Sequence, residues 1–164
     1  MQNNFVYKGE VTLNVIKNGK TFYKKIYNKG TVNLFNYIIS AIRGDFASIA
    51  NSYPNKACFS STEDSSGVLS SLSDAFGKTS GFDNIKSAPF AYYNFTLDGS
   101  DLAKVVGSKA YVLLCSNDSV TGSIKVMASV ELKEDDVAKI AKSGVVVTLE
   151  WKLYVMNDGN KENG

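Results

Sequence analysis

Histidine is absent from all 164 residues. That removes the commonest general base, the usual catalytic zinc ligand and any Ser-His or Cys-His pair. Cysteine is scarce: Cys58 and Cys115 are the only two, too few for the disulfide framework of a small secreted domain. Cys115 closes the apolar run YVLLC, where a reduced thiol behaves as a small hydrophobe. Both cysteines are therefore expected as buried free thiols. Long apolar runs are also missing, since no segment approaches the ~20 residues of a membrane-spanning helix. The chain opens with MQNNFVYKGE, polar where a secretory signal needs a basic start and an apolar stretch. These features predict a protein made in, and kept in, a reducing cytoplasm until it is assembled or released.

Charge of one sign is lacking too. With 18 basic and 16 acidic residues the formal charge is +2, which creates no broad field to gather nucleic acid or an anionic membrane. Neither is expected as a partner. Recognition should rest on shape and local contacts.

What is present is enough apolar material for one core. A chain with 44% hydrophobic and 21% charged residues supports a single domain and is too short for two comfortable ones. In VTLNVIKNGKTFYKKIY, Val11, Leu13 and Val15 share one side. After Asn18-Gly19, Phe22, Lys24 and Ile26 alternate with Tyr23, Lys25 and Tyr27. Asn-Gly between alternating runs is a strong hairpin signal, because both residues tolerate the positive φ of a type I′ turn. Tyr23, Lys25 and Tyr27 then lie on the hairpin's outer face, a mix that suits a wet or interfacial surface.

The period changes after NKG. Thr31 can cap a helix, and Leu34, Phe35, Ile38, Ile39 and Ile42 recur at helical spacing until Arg43 and Gly44 close it. About three turns are expected over 32–43. The apolar stripe is too broad for a lone surface helix, so the helix should plug the end or open face of a sheet, with Asn33, Asn36 and Ser40 outward. It lacks the Lys/Arg-rich polar face of membrane-active helices.

A Ser-rich excursion follows at about 45–84, containing SSTEDSSGVLSSLSD. Val68, Leu69, Leu72 and Phe76 keep helical spacing within it. Long insertions often carry partner contacts, and Leu69, Leu72 and Phe76 are candidates alongside the hairpin's outer face. The second half reads as β. Ile124, Val126, Ala128, Val130 and Leu132 alternate with Lys125, Met127, Ser129, Glu131 and Lys133, and Val145, Val147, Leu149, Trp151, Leu153 and Val155 with Val146, Thr148, Glu150, Lys152, Tyr154 and Met156. PFAYYNFTL and KAYVLLC are two further strands, the latter apolar on both faces and so central in a sheet. Residues 1–157 are read as one β-rich domain and 158–164 as a polar, flexible tail.

An internal echo appears at an offset of 35 residues, where FTLDGSDLAKVVGSKAYVLL matches VELKEDDVAKIAKSGVVVTL. Strand, acidic turn, short helix and strand occur twice, with Asp101 and Asp136 placed to favour the helix N-termini. Each short helix would carry the chain from one sheet to the other or across a sheet's end. The expected fold is mainly β, an antiparallel two-layer sandwich-like domain with one three-turn helix and short connecting helices.

No catalytic constellation stands out. Glu63-Asp64, Asp98 to Asp101 and Glu134 to Asp136 offer carboxylates, and DGSD is a fragment of a calcium loop without the spaced ligands and terminal Glu that such a loop needs. The serines of SSTEDSSG have neither a histidine nor an S-x-x-K spacing to activate them, and no glycine pattern resembles a phosphate loop. No cofactor and no metal site is expected. Aromatics give the other route to function: Tyr92 and Tyr93 either fill a two-layer core or serve as a protein contact or a sugar-stacking platform, with Trp151 weaker because its row predicts burial.

VTLNVIKNGK followed by NKGTVNLFNYIISAIRGD resembles the opening of small virion proteins of tailed bacteriophages: a hairpin, an Asn/Gly-Thr helix start, an LF pair and a small helix ending in Gly. The match covers about the first third of the chain. It implies a structural part of a virion, at the capsid surface, collar or tail, made in the host cytoplasm and present in several copies. The expectation is a non-enzymatic assembly protein whose partners are subunits of the same assembly, a homo-oligomer or multi-copy component. A carbohydrate- or receptor-binding β module is the alternative.

Overall fold

The computed structural model describes residues 5–49, 53–61, 63, 90–105, 109–117 and 124–157. Strands β1 (Phe5–Lys17) and β2 (Lys20–Gly30) form the expected hairpin. Asn18 and Gly19 turn it with φ of 49° and 73°, the left-handed pair whose twist matches that of the strands. Then come α1 (Val32–Ile42), α2 (Phe46–Ile49), β3 (Lys56–Ser60), β4 (Phe90–Asp98), α3 (Gly99–Val105), β5 (Ala110–Asn117), β6 (Ile124–Leu132), α4 (Glu134–Ile140) and β7 (Val146–Asn157).

The strand order is β3-β5-β6-β2-β1-β7-β4, antiparallel throughout. The ladder narrows at one place, where β2 meets β6 only through Lys29 with Ser129 and Gly30 with Ala128. Two layers result: a four-stranded layer β2-β1-β7-β4 and a three-stranded layer β3-β5-β6, joined by the end of β2. The core fills the space between them, with Leu13, Phe95, Leu149 and Trp151 from one layer against Phe59, Val112, Leu114 and Met127 from the other. Each such side chain, fully buried, contributes on the order of 1.5–3 kcal/mol. The outer face of the four-stranded layer, set by strand alternation, is mostly polar, with Ile16, Tyr27 and Val146 exposed on it. The outer face of the three-stranded layer instead buries a second cluster of Cys58, Tyr111, Leu113, Cys115 and Val126. That is why β5 is apolar on both faces and central.

One boundary differs from the sequence reading. Residues 46–60, assigned to the excursion, include α2 and the edge strand β3, whose Ala57 and Phe59 enter the core while Cys58 faces the second cluster. Five residues are too short a run for alternation to stand out beside the Ser-rich stretch. Leu69, Leu72, Phe76 and the tail 158–164 lie outside the described residues.

The internal echo is structural. Helix α3 takes the chain from β4 in one layer to β5 in the other, and α4 takes it from β6 back to β7. The two crossovers meet at Gly99, whose N–H donates to the Val145 carbonyl at 2.8 Å. A Cβ on Gly99 would lie 2.1 Å from the Ile140 carbonyl oxygen and 3.0 Å from that of Lys142. Backbone on both sides leaves nothing to give way. Gly99→Ala should therefore destabilise the domain by about 2 kcal/mol or more, in the range of overpacked cores, read as a lower midpoint in guanidinium unfolding.

Candidate protein interface

Helix α1 is oriented by the strand it follows. Thr31, expected to cap it, makes no side-chain cap. Its N–H instead donates to the Met127 carbonyl at 2.9 Å, and its hydroxyl lies 2.5 Å from the Val126 carbonyl and 3.0 Å from that of Met127. Asn33 Nδ2 adds a bond to the Val126 carbonyl at 3.0 Å. These acceptors sit at an irregularity of β6, where Leu114 pairs with Ala128 and the next residue, Cys115, with Val126. Met127 is the extra residue of a bulge, which bends a strand and re-aims its carbonyls.

Those bonds set the rotational phase of the helix, and the phase corrects the sequence reading. Asn33 points toward β6, not outward. Leu34 is buried, and Tyr37 and Ile38 pack partly against the core. Asn36 and Ser40 line a cavity of about 180 Å³ together with Tyr37, Lys125 and Met127, where burial pushes the Tyr37 hydroxyl pKa up. The opposite stripe is left to solvent: Val32 is 67% exposed, Phe35 48%, Ile39 46% and Ile42 76%. Phe46 of α2 is 68% exposed. The helix end is sharp, because Gly44 takes φ 74° and the N–H groups of Gly44 and Asp45 reach back to Ala41 and Ser40 at 3.1 and 3.0 Å. This left-handed closure turns the chain so that α2 follows α1.

The breadth of the stripe was the signal available in the sequence. Eleven residues without one charge, VNLFNYIISAI, hold more apolar groups than one buried side can take. Its apolar groups divide between two sides of the helix, Leu34 and Ile38 inward and Val32, Phe35, Ile39 and Ile42 outward.

The other candidates are dispersed. Lys25 and Tyr27 occupy the outer face of the hairpin: Tyr27 is 70% exposed, and Lys25 pairs with Glu10 at 2.7 Å. Tyr23 stands opposite Asn14 and Tyr92 opposite Lys152 in the register, and their side chains lie outside the described set. Tyr93 is not an outward group. It belongs to the core, stacked on Phe95 with ring centroids 6.5 Å apart. Trp151 is fully buried and its indole N–H donates to Asn28 Oδ1 at 3.1 Å.

The carboxylates are engaged locally. Asp98 caps the start of α3, accepting the Ser100 N–H at 2.8 Å, which lowers its pKa, and Asp101 stands in the first turn as expected. Asp101 pairs with Lys104 at 2.8 Å. Asp136, buried in the first turn of α4, holds Lys24 of β2 in an ion pair. Among the described residues no three potential ligands gather as a metal site would require. Cys58 and Cys115 are both buried and unbridged, and the Cys115 thiol is held well above the usual thiol range by its hydrogen bond with Cys58 and by burial.

Compared with known proteins, the chain matches no family model, no curated protein and no solved structure.

Two outcomes are expected. In the domain, Leu34→Asp should cost more than about 3 kcal/mol, whereas Phe35→Asp should stay within about 1 kcal/mol; comparing the two by thermal melting checks the helix phase. Neither thiol should react with Ellman's reagent at mildly alkaline pH until the protein is unfolded, so a fast-reacting native thiol would contradict the second cluster.

Proposed function

We propose that this protein is a non-enzymatic assembly component, present in several copies that join through the face made by Val32, Phe35, Ile39, Ile42 and Phe46. The observation that carries the reading is that face itself. Contiguous exposed apolar groups on a folded domain mark interaction sites, and here they stand on a helix docked by four side-chain and backbone contacts to β6.

The occupant is a second copy of the same chain. An isologous interface must be complementary to itself, and a stripe without charge meets its own image without repulsion. Arg43 and Asp45, of opposite sign, border its C-terminal end, so two copies related by a twofold axis bring no surplus of one sign together. The resemblance of the hairpin and helix to the opening of small virion proteins of tailed phages supports placing this assembly in a virion, built in the host cytoplasm. A sugar-stacking platform has less support, because Tyr93 and Trp151 are core residues.

Light scattering over a concentration series tests the proposal. The native chain should give a defined oligomer, and Phe35→Asp with Ile42→Asp should give a monomer with an unchanged melting profile. A monomer at every concentration would overturn self-association, as would an oligomer indifferent to the double substitution.

A further inference from the structure

The sequence distributes its charge almost evenly, yet the fold does not. At the far end of β2 from α1, about 33 Å away at ~3.3 Å per residue, the tip of the first hairpin and the end of α4 border an open groove of about 350 Å³. Its floor is Val15, buried, and Phe22, half-buried against the core. Its rim is Lys17, Lys20, Lys139 and Lys142. Among the described residues no carboxylate lines it.

Five ion pairs hold charges elsewhere on the fold: Lys24 with Asp136, Lys25 with Glu10, Lys104 with Asp101, Lys109 with Glu131 and Lys152 with Glu150. Among the described residues none of the four rim lysines forms an ion pair. Lys139 instead places its ammonium 4.6 Å from the centre of the Phe22 ring, an attraction that fixes one cation at the groove's edge. Four like charges around one concavity repel one another, and an anionic occupant relieves that repulsion.

We infer that this groove docks an acidic peptide segment that carries one apolar side chain, the side chain resting on Val15 and Phe22 and its flanking carboxylates meeting Lys17, Lys20, Lys139 and Lys142. The groove has room for one large side chain, and the cations border it from the hairpin, from α4 and from the residues just after α4. A nucleic-acid track has the opposite layout, a basic stripe extended along a surface. The site is separate from the α1 face, so each reading can fail without the other.

Fluorescence polarisation with a labelled peptide of alternating glutamates around a central leucine tests the site. Binding is expected at low salt, weakening as salt rises from about 50 to about 200 mM, and weakening several-fold when the leucine is replaced by serine. Lys17→Glu with Lys142→Glu, both exposed positions, should reduce affinity by about tenfold or more with an unchanged melt. Lys20→Glu is the second variant should that pair fold poorly. The Phe35→Asp chain should bind as the native one does. Absence of binding, equal binding by the charge-reversed chains, or indifference to the leucine would overturn the proposal. So would tighter binding of a single-stranded DNA of equal charge at the same lysines, which would assign the groove to nucleic acid.

Discussion

The position of α1 depends on a bulge in β6. One extra residue, Met127, turns two carbonyls toward the end of β2, and Thr31 and Asn33 take them. Buried carbonyls demand partners, so the chain cannot slide or rotate there without leaving acceptors unmet. Among the described residues, the same place carries the strand pairing that joins the two layers. Joining the layers and aiming the helix are therefore one event, and the uncovered apolar stripe follows from it. A helix with two apolar sides can satisfy its own domain with only one of them.

The two crossovers close the sandwich at another point. Gly99 lets α3 approach the end of α4 at backbone distance, and Asp136 of α4 reaches Lys24 of β2. Leaving either of these charges buried without the other would cost several kcal/mol. Local repeats thus meet long-range contacts: the echoed segments pack on one another and on the hairpin. The four lysines at the hairpin tip differ from these pairs in being gathered around one apolar groove.

Much of the fold was legible in the chain. The hairpin was written in Asn18-Gly19, the crossovers in the echo at an offset of 35 residues, and the central place of β5 in its two apolar faces. These signals are local or periodic, and a period survives whatever the tertiary partner is. The phase of α1 was not legible, because Phe35 and Leu34 are equally apolar and only the carbonyls of a strand some 95 residues away choose between them. The burial of Tyr93 was hidden for a related reason: alternation says that Tyr92 and Tyr93 face opposite ways, and the register of β4 on β7 decides which is inside. The groove lysines were invisible in sequence, since Lys17 and Lys142 meet only through the fold.

Strand β1 has its longest pairing with β7, in a register that sets Phe5 against Asn157. Contacts of such sequence separation form slowly, because loop closure must precede any gain from them. On the ribosome, at roughly 5–20 residues per second, the first hairpin emerges many seconds before the strand that will cover its long edge. Until then Val11, Leu13 and Val15 have no second layer to meet, and β1 offers an open edge to any neighbouring nascent chain. Production of this protein thus has a vulnerable interval set by topology, one that a chaperone or a slow translation rate would be felt in before stability is.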